Sequence, residues 1–181
     1  MLSKIVLLTM LVLMGTVSPV MALDAASAAD ANLQAIRVLL ESPDDKIDLA
    51  RAKLTLDRMI DPSIDVESNA KQLDAMAGEI RAMLPANPTS LQKMETLIQY
   101  MYKAGAWNDN QAYSYDLNDP FGKNVRNKLL PTYLMTRKGN CLSMPVLFII
   151  LGQKIGLTVT ASTTPAHLFV KYRLERRRHV I

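Results

Sequence analysis

Residues 137–156 read Arg137-Lys138-Gly139-Asn140-Cys141-Leu142-Ser143-Met144-Pro145-Val146-Leu147-Phe148-Ile149-Ile150-Leu151-Gly152-Gln153-Lys154-Ile155-Gly156. From Cys141 to Ile155 the run is apolar almost throughout, with Ser143, Gln153 and Lys154 near its ends, which predicts a buried helix. Gly139-Asn140 predicts the turn into that helix and Gly156 its close. Two β-branched or aromatic runs follow, Leu157–Ala161 and His167–Tyr172, separated by Thr163-Thr164-Pro165. They predict two short strands, antiparallel to each other. A helix that is apolar on every side must be covered on every side.

The upstream chain supplies the cover as helices. The alanine-rich stretch Asp24–Leu40 predicts a weakly formed helix ended by Ser42-Pro43-Asp44. Ile47, Ala50 and Leu54 form one stripe, and Leu49, Ala52, Leu56 and Met59 the next, before Asp61-Pro62: a second helix. Val66, Ala70, Leu73, Ala77, Ile80 and Leu84 alternate spacings of four and three and stop at Pro85, which predicts a third. Thr89 and Gln92 stand at capping-box spacing ahead of Leu91, Met94, Ile98 and Met101, a fourth that ends near Gly105. The chain's eleven methionines are expected to fill gaps in this bundle rather than to line a groove. Residues 106–122, with Trp107, Asn108, Asp109, Asn110 and Asn118-Asp119-Pro120-Phe121-Gly122, predict an ordered loop leading into the region of Cys141. The expected fold class is therefore α+β, a helical bundle followed by a core helix and short antiparallel strands.

The ends differ from this body. Lys4 precedes the apolar run Ile5–Met14, too short to span a bilayer, and Val20-Met21-Ala22 offers small residues for cleavage. The expectation is a signal peptide over residues 1–22, a helical region over 23–105, a core over 106–172 and a basic tail over 173–181. That implies a periplasmic or secreted protein that is not an integral membrane protein after cleavage. Setting aside Lys4 and the five basic residues between Lys171 and Arg178 leaves 15 Lys and Arg against 16 Asp and Glu, Glu175 aside. The sequence pI of about 9.2 therefore describes the tail, and no basic stripe with interleaved aromatics predicts nucleic-acid binding.

Cys141 is the single cysteine, so it has no partner for an internal disulfide. A thiol at the head of a buried helix meets unpaired N–H groups and the positive end of the helix dipole, which favours thiolate over thiol. A histidine opening a strand packed beside that helix, His167, can accept and return a proton. The Cys141 N–H can help hold an oxyanion. The competing reading makes Cys141 a buried, inert thiol, His167 a satisfied core histidine and helices 47–105 the useful surface.

Arg137-Lys138-Gly139-Asn140-Cys141-Leu142-Ser143-Met144, with His167 opening a strand, resembles the transglutaminase-like superfamily, including bacterial members with a helical N-terminal region. The likeness extends over roughly Ile47 to Tyr172. It implies a papain-like core with Cys141 as nucleophile, His167 as general base and acid, and an Asp or Asn on the next strand as orienting residue. The implied chemistry is amide hydrolysis or acyl transfer through a thioester on a protein or peptide substrate, with no cofactor and no metal. After His167 the sequence holds no Asp or Asn, and Glu175 is the sole acidic residue. It lies in the charged segment Arg173–His179, where strand alternation is lacking, so the expectation is a core truncated at its C-terminal side and an enzyme weakened or inactivated by the loss. The alternative is a non-enzymatic helical interaction module of the cell envelope. A third reading takes the Arg-rich tail as a contact for anionic lipid or cell-wall polymer.

Overall fold

The computed structural model describes residues 19–43, 46–165 and 167–172, and the chain divides at Lys46 into two units. The signal-peptide expectation up to residue 18, and both Glu175 and the basic tail, lie outside the described residues. In the first unit the chain forms helix α1, Pro19–Glu41. It runs through the expected cleavage point at Ala22, and near its end the Ser42 hydroxyl donates to the Val38 carbonyl at 2.6 Å.

The second unit opens with three helices, α2 (Leu49–Ile60), α3 (Val66–Met83) and α4 (Ser90–Tyr102). Each starts where a short polar side chain satisfies an N–H of the first turn. Asp48 accepts from Arg51 N at 3.1 Å and Asp65 from Ser68 N at 3.0 Å. At α4 the expected capping box is formed: Gln92 N donates to Thr89 Oγ1 at 3.2 Å and Thr89 N to Gln92 Oε1 at 2.9 Å. The α3 stripe is buried as its spacing predicts, at Val66, Ala70, Leu73, Ala77 and Ile80. In α4 the buried face is Leu97, Tyr100 and Met101, whereas Leu91 and Ile98 are exposed. Of the α4 stripe read from the sequence, only Met101 is fully buried, while Met94 packs partly buried against the core.

Helix α5 (Leu130–Thr136) leads to α6 (Ser143–Lys154), the apolar helix. Helix α6 contacts α2, α3, α4 and α5, which is the cover its all-round hydrophobicity demands. Polar side chains fasten its C-terminal end. Arg81 donates to the Lys154 carbonyl and Lys93 to the Gly156 carbonyl, both at 2.9 Å, placing cations on the negative end of the helix. Gln153 takes the Leu49 N–H at 3.1 Å and gives its amide to the Ile47 carbonyl at 2.8 Å, tying the start of α2 to α6.

One buried charge organises the approach to α6. Asp57, 2% exposed, is paired with Lys53 and accepts the Leu130 N–H at 2.7 Å. Because Leu130 is the first residue of α5, a carboxylate on α2 caps a helix far along the chain. Lys53 also donates to the Lys128 carbonyl at 3.1 Å.

Two small sheets complete the unit. Strand β1 (Ser114–Tyr115) pairs in parallel with β2 (Lys138–Gly139). Strands β3 (Val159–Thr164) and β4 (His167–Tyr172) form an antiparallel hairpin with Thr164 opposite His167. Both strands of the hairpin pack on α6. The architecture is thus helix-rich α+β. Two local expectations are corrected. Gly139 is in β2 rather than in a turn; the chain reverses two residues earlier, at Arg137, whose φ is 53°. Gly139 is buried, and a Cβ there would lie 2.6 Å from Tyr133 Cε2, so a close approach selects the glycine. Strand β3 also extends through Thr163-Thr164 instead of stopping at Ala161, because the tight register leaves two residues for the turn.

Candidate active site

The chain enters α6 through Asn140, 1% exposed. Its Oδ1 accepts the N–H groups of Leu142 at 3.0 Å and Ser143 at 3.1 Å, while its own N–H donates to Ser143 Oγ at 3.0 Å. Its carbonyl accepts the Met144 N–H at 3.2 Å. This is a reciprocal cap, with Asn140 in the N-cap role and Ser143 three residues on in the role a Glu or Gln usually fills. Cys141 is then the first residue of the turn. Its N–H has no acceptor among the described residues, while the two N–H groups after it are satisfied. The cap thus leaves one amide open beside the thiol.

Asn140 is held in turn by the loop before α5. Its Nδ2 donates to the Asn127 carbonyl at 2.9 Å. Gly122, with φ 59°, comes so near that a Cβ would lie 2.7 Å from Asn140 Nδ2; any larger residue would both strain the backbone and displace the cap. Asp119 folds this loop, accepting Lys123 N at 2.7 Å, Asn124 N at 3.2 Å and the Asn127 amide at 2.8 Å. Desolvation pushes the Asp119 carboxyl up, but these hydrogen bonds and the charge of Lys128 outweigh it and hold it below the usual carboxylate range.

Cys141 is partly exposed and opens on a cavity of about 400 Å³ that His167 also lines. Met94, Ile98 and Tyr102 of α4 form one wall, Met144 and Phe148 of α6 another, and β4 from His167 to Val170 the third. Tyr115 enters from β1, its hydroxyl donating to the Pro120 carbonyl at 2.8 Å. Burial pushes the Tyr102 hydroxyl up to about 12, so it stays protonated at neutral pH.

Both residues singled out from the sequence therefore reach one cavity, Cys141 from the head of α6 and His167 from the first position of β4. No hydrogen bond joins their side chains, and the ring of His167, an exposed residue, has no hydrogen-bond partner among the described residues. Sequence reading missed Asn140 as a cap, although the Asn140-x-x-Ser143 spacing carries the signal. It also assigned Met94, and the methionines generally, to the core alone. Met94 and Met144 do pack on the core, but both face the cavity too. Tyr102 and Tyr115 had no local signal, being brought in by tertiary structure. The described residues hold no cluster of three or more His, Cys, Asp and Glu placed to bind a metal, and no helix among them is long and apolar enough to cross a membrane.

Residues 67–181 match the family model described as the transglutaminase-like superfamily. No curated protein and no solved structure matches the chain. The match covers more than half of the sequence, and the chain belongs to the transglutaminase-like superfamily.

Proposed function

We propose that the protein is a thiol enzyme that cleaves or transfers acyl groups through a thioester on Cys141, within a papain-like arrangement of helix and hairpin. The observation that carries this is the pairing at one cavity of Cys141, beside an open amide at a capped helix head, with His167. The Cys141 thiolate adds to the carbonyl carbon of an amide and its Sγ–C bond forms. The Cys141 N–H donates to the oxyanion. The C–N bond then breaks, and His167, holding the thiol proton, delivers it to the departing amine. Water or a second amine adds to the thioester carbonyl carbon, the C–Sγ bond breaks, and the attacker's proton passes through His167 to the released sulfur.

The reading includes a loosely held base: among residues 167–172 no carboxylate or carboxamide is present to orient the imidazole. The basic and apolar start of the chain supports export by a leader over residues 1–22, to the periplasm or outside the cell, with a protein or peptide substrate there.

Iodoacetamide labelling of Cys141 at mildly acidic pH tests the chemistry, because a thiolate held by its site reacts where a free thiol does not. Rapid labelling lost in His167→Ala is expected; labelling at the rate of a free thiol in both proteins sinks the proposal. The lack of a Cys141–His167 hydrogen bond favours a second reading, a non-enzymatic helical interaction module, and that slow outcome is the one it requires.

A further inference from the structure

We propose that the cavity beside Cys141 selects an acyl donor whose side chain, next to the attacked carbonyl, is a bulky hydrocarbon such as leucine or phenylalanine, not a carboxamide or a charged group. The inference deepens the thiol chemistry proposed above and rests on it. The cavity surface is overwhelmingly apolar, and among the described residues no Asp, Glu, Lys or Arg lines it. Its walls carry Met94, Ile98, Met144, Phe148, Leu168 and Val170. Of its hydroxyls, that of Tyr115 is already donating to Pro120, that of Tyr102 is held in an apolar setting by burial, and that of Tyr172 is buried with no partner among the described residues, which leaves too few polar groups to satisfy all the donors and the acceptor of a carboxamide. Asn140 has both its oxygen and its nitrogen engaged in the cap. A glutamine side chain entering here would leave part of its donor and acceptor set unpaired, whereas a leucine or phenylalanine side chain would exchange water for apolar contact.

The volume agrees. About 400 Å³ is near the low end for small-molecule sites and suits one large side chain with its flanking backbone. Two of the wall residues are methionines, whose unbranched side chains adapt to aliphatic and aromatic shapes alike. Ile98, 40% exposed, stands at the rim, where a substitution alters the cavity without disturbing the core.

The test uses dipeptidyl vinyl sulfones that differ only in the side chain beside the electrophile: leucine, phenylalanine, glutamine, glutamate or lysine. The Cys141 thiolate adds to the vinyl carbon, and the rate of the intact-mass shift on the full chain is divided by the iodoacetamide rate of the same protein. The leucine and phenylalanine probes are expected to react about 10–100-fold faster than the glutamine and glutamate probes. In Ile98→Glu that preference should fall about 10-fold while the lysine probe gains. Fast iodoacetamide labelling with no difference among probes overturns the cavity proposal and leaves the thiol chemistry standing. Uniformly slow probes beside fast iodoacetamide, as a cavity filled by another part of the chain would give, overturn it as well. Slow iodoacetamide labelling that ignores His167 removes the chemistry and the proposal together.

Discussion

The two halves of the cavity are built to different standards. On the thiol side, α6 is wrapped by four helices, its first turn is closed by a reciprocal cap, and its last carbonyls receive Arg81 and Lys93. On the imidazole side, His167 opens the second strand of a hairpin whose residues are exposed or half-buried, and its ring has no partner among the described residues. Pre-organisation is therefore concentrated on the nucleophile. The difference teaches that a site can keep its costly, buried part while the group that must move protons is held by little more than backbone pairing.

If that contrast is real, the largest effects on folding come from polar groups that secure the thiol side. Asp57→Ala removes the buried carboxylate that pairs with Lys53 and caps α5. It should cost about 3–5 kcal/mol, because Lys53 and the Leu130 N–H are left without their partner. Urea unfolding measures this, and a loss under about 1 kcal/mol would mean that α5 is not anchored through Asp57.

Asn140→Ala comes next, at about 2–3 kcal/mol, combining a lost cap with buried N–H groups of Leu142 and Ser143 left unpaired. Asn140→Asp should recover most of that, since its oxygens still cap the turn, while losing the bond to the Asn127 carbonyl. Equal losses in the two variants would show that the Asn127 contact, not the cap, holds the turn. Gly139→Ala ranks third, at about 1–2 kcal/mol, because the new Cβ meets the fully buried Tyr133 ring and the core must shift to accept it. A neutral result in thermal melting would mean that β2 moves freely, against the contrast drawn above.

The same contrast explains what was legible in the sequence. Helix α3 could be read residue by residue, since Val66, Ala70, Leu73, Ala77 and Ile80 face a core that runs along its whole length. Helix α6 was legible for the opposite reason, that it has no polar face at all. The α4 stripe misled because periodicity reports where apolar residues lie, not what covers them. Met94 and Ile98 cover a cavity, and a cavity wall and a core face have the same pattern. The pairing of β1 with β2 spans two residues per strand, too few for any periodic signal. Cys141 and His167 stood out by position, yet the structure adds the cap that gives the position its meaning: Asn140 engages the amides of Leu142 and Ser143 and leaves that of Cys141 open.

The smallest effect on stability is expected at His167, and there the comparison is sharpest. The residue is exposed and its ring makes no hydrogen bond among the described residues, so His167→Ala should change unfolding free energy by no more than about 0.5 kcal/mol. If His167 serves the thiol, the same substitution should nevertheless lower the iodoacetamide rate at Cys141 about 100-fold, in line with the usual contribution of a positioned proton acceptor. A stability loss above about 1 kcal/mol would assign the histidine to the hairpin's structure instead. An unchanged stability with an unchanged labelling rate would separate His167 from the thiol altogether. Stability and reactivity moving apart at His167, while they move together at Asn140, is the pattern that a rigid nucleophile and a loosely held base must produce.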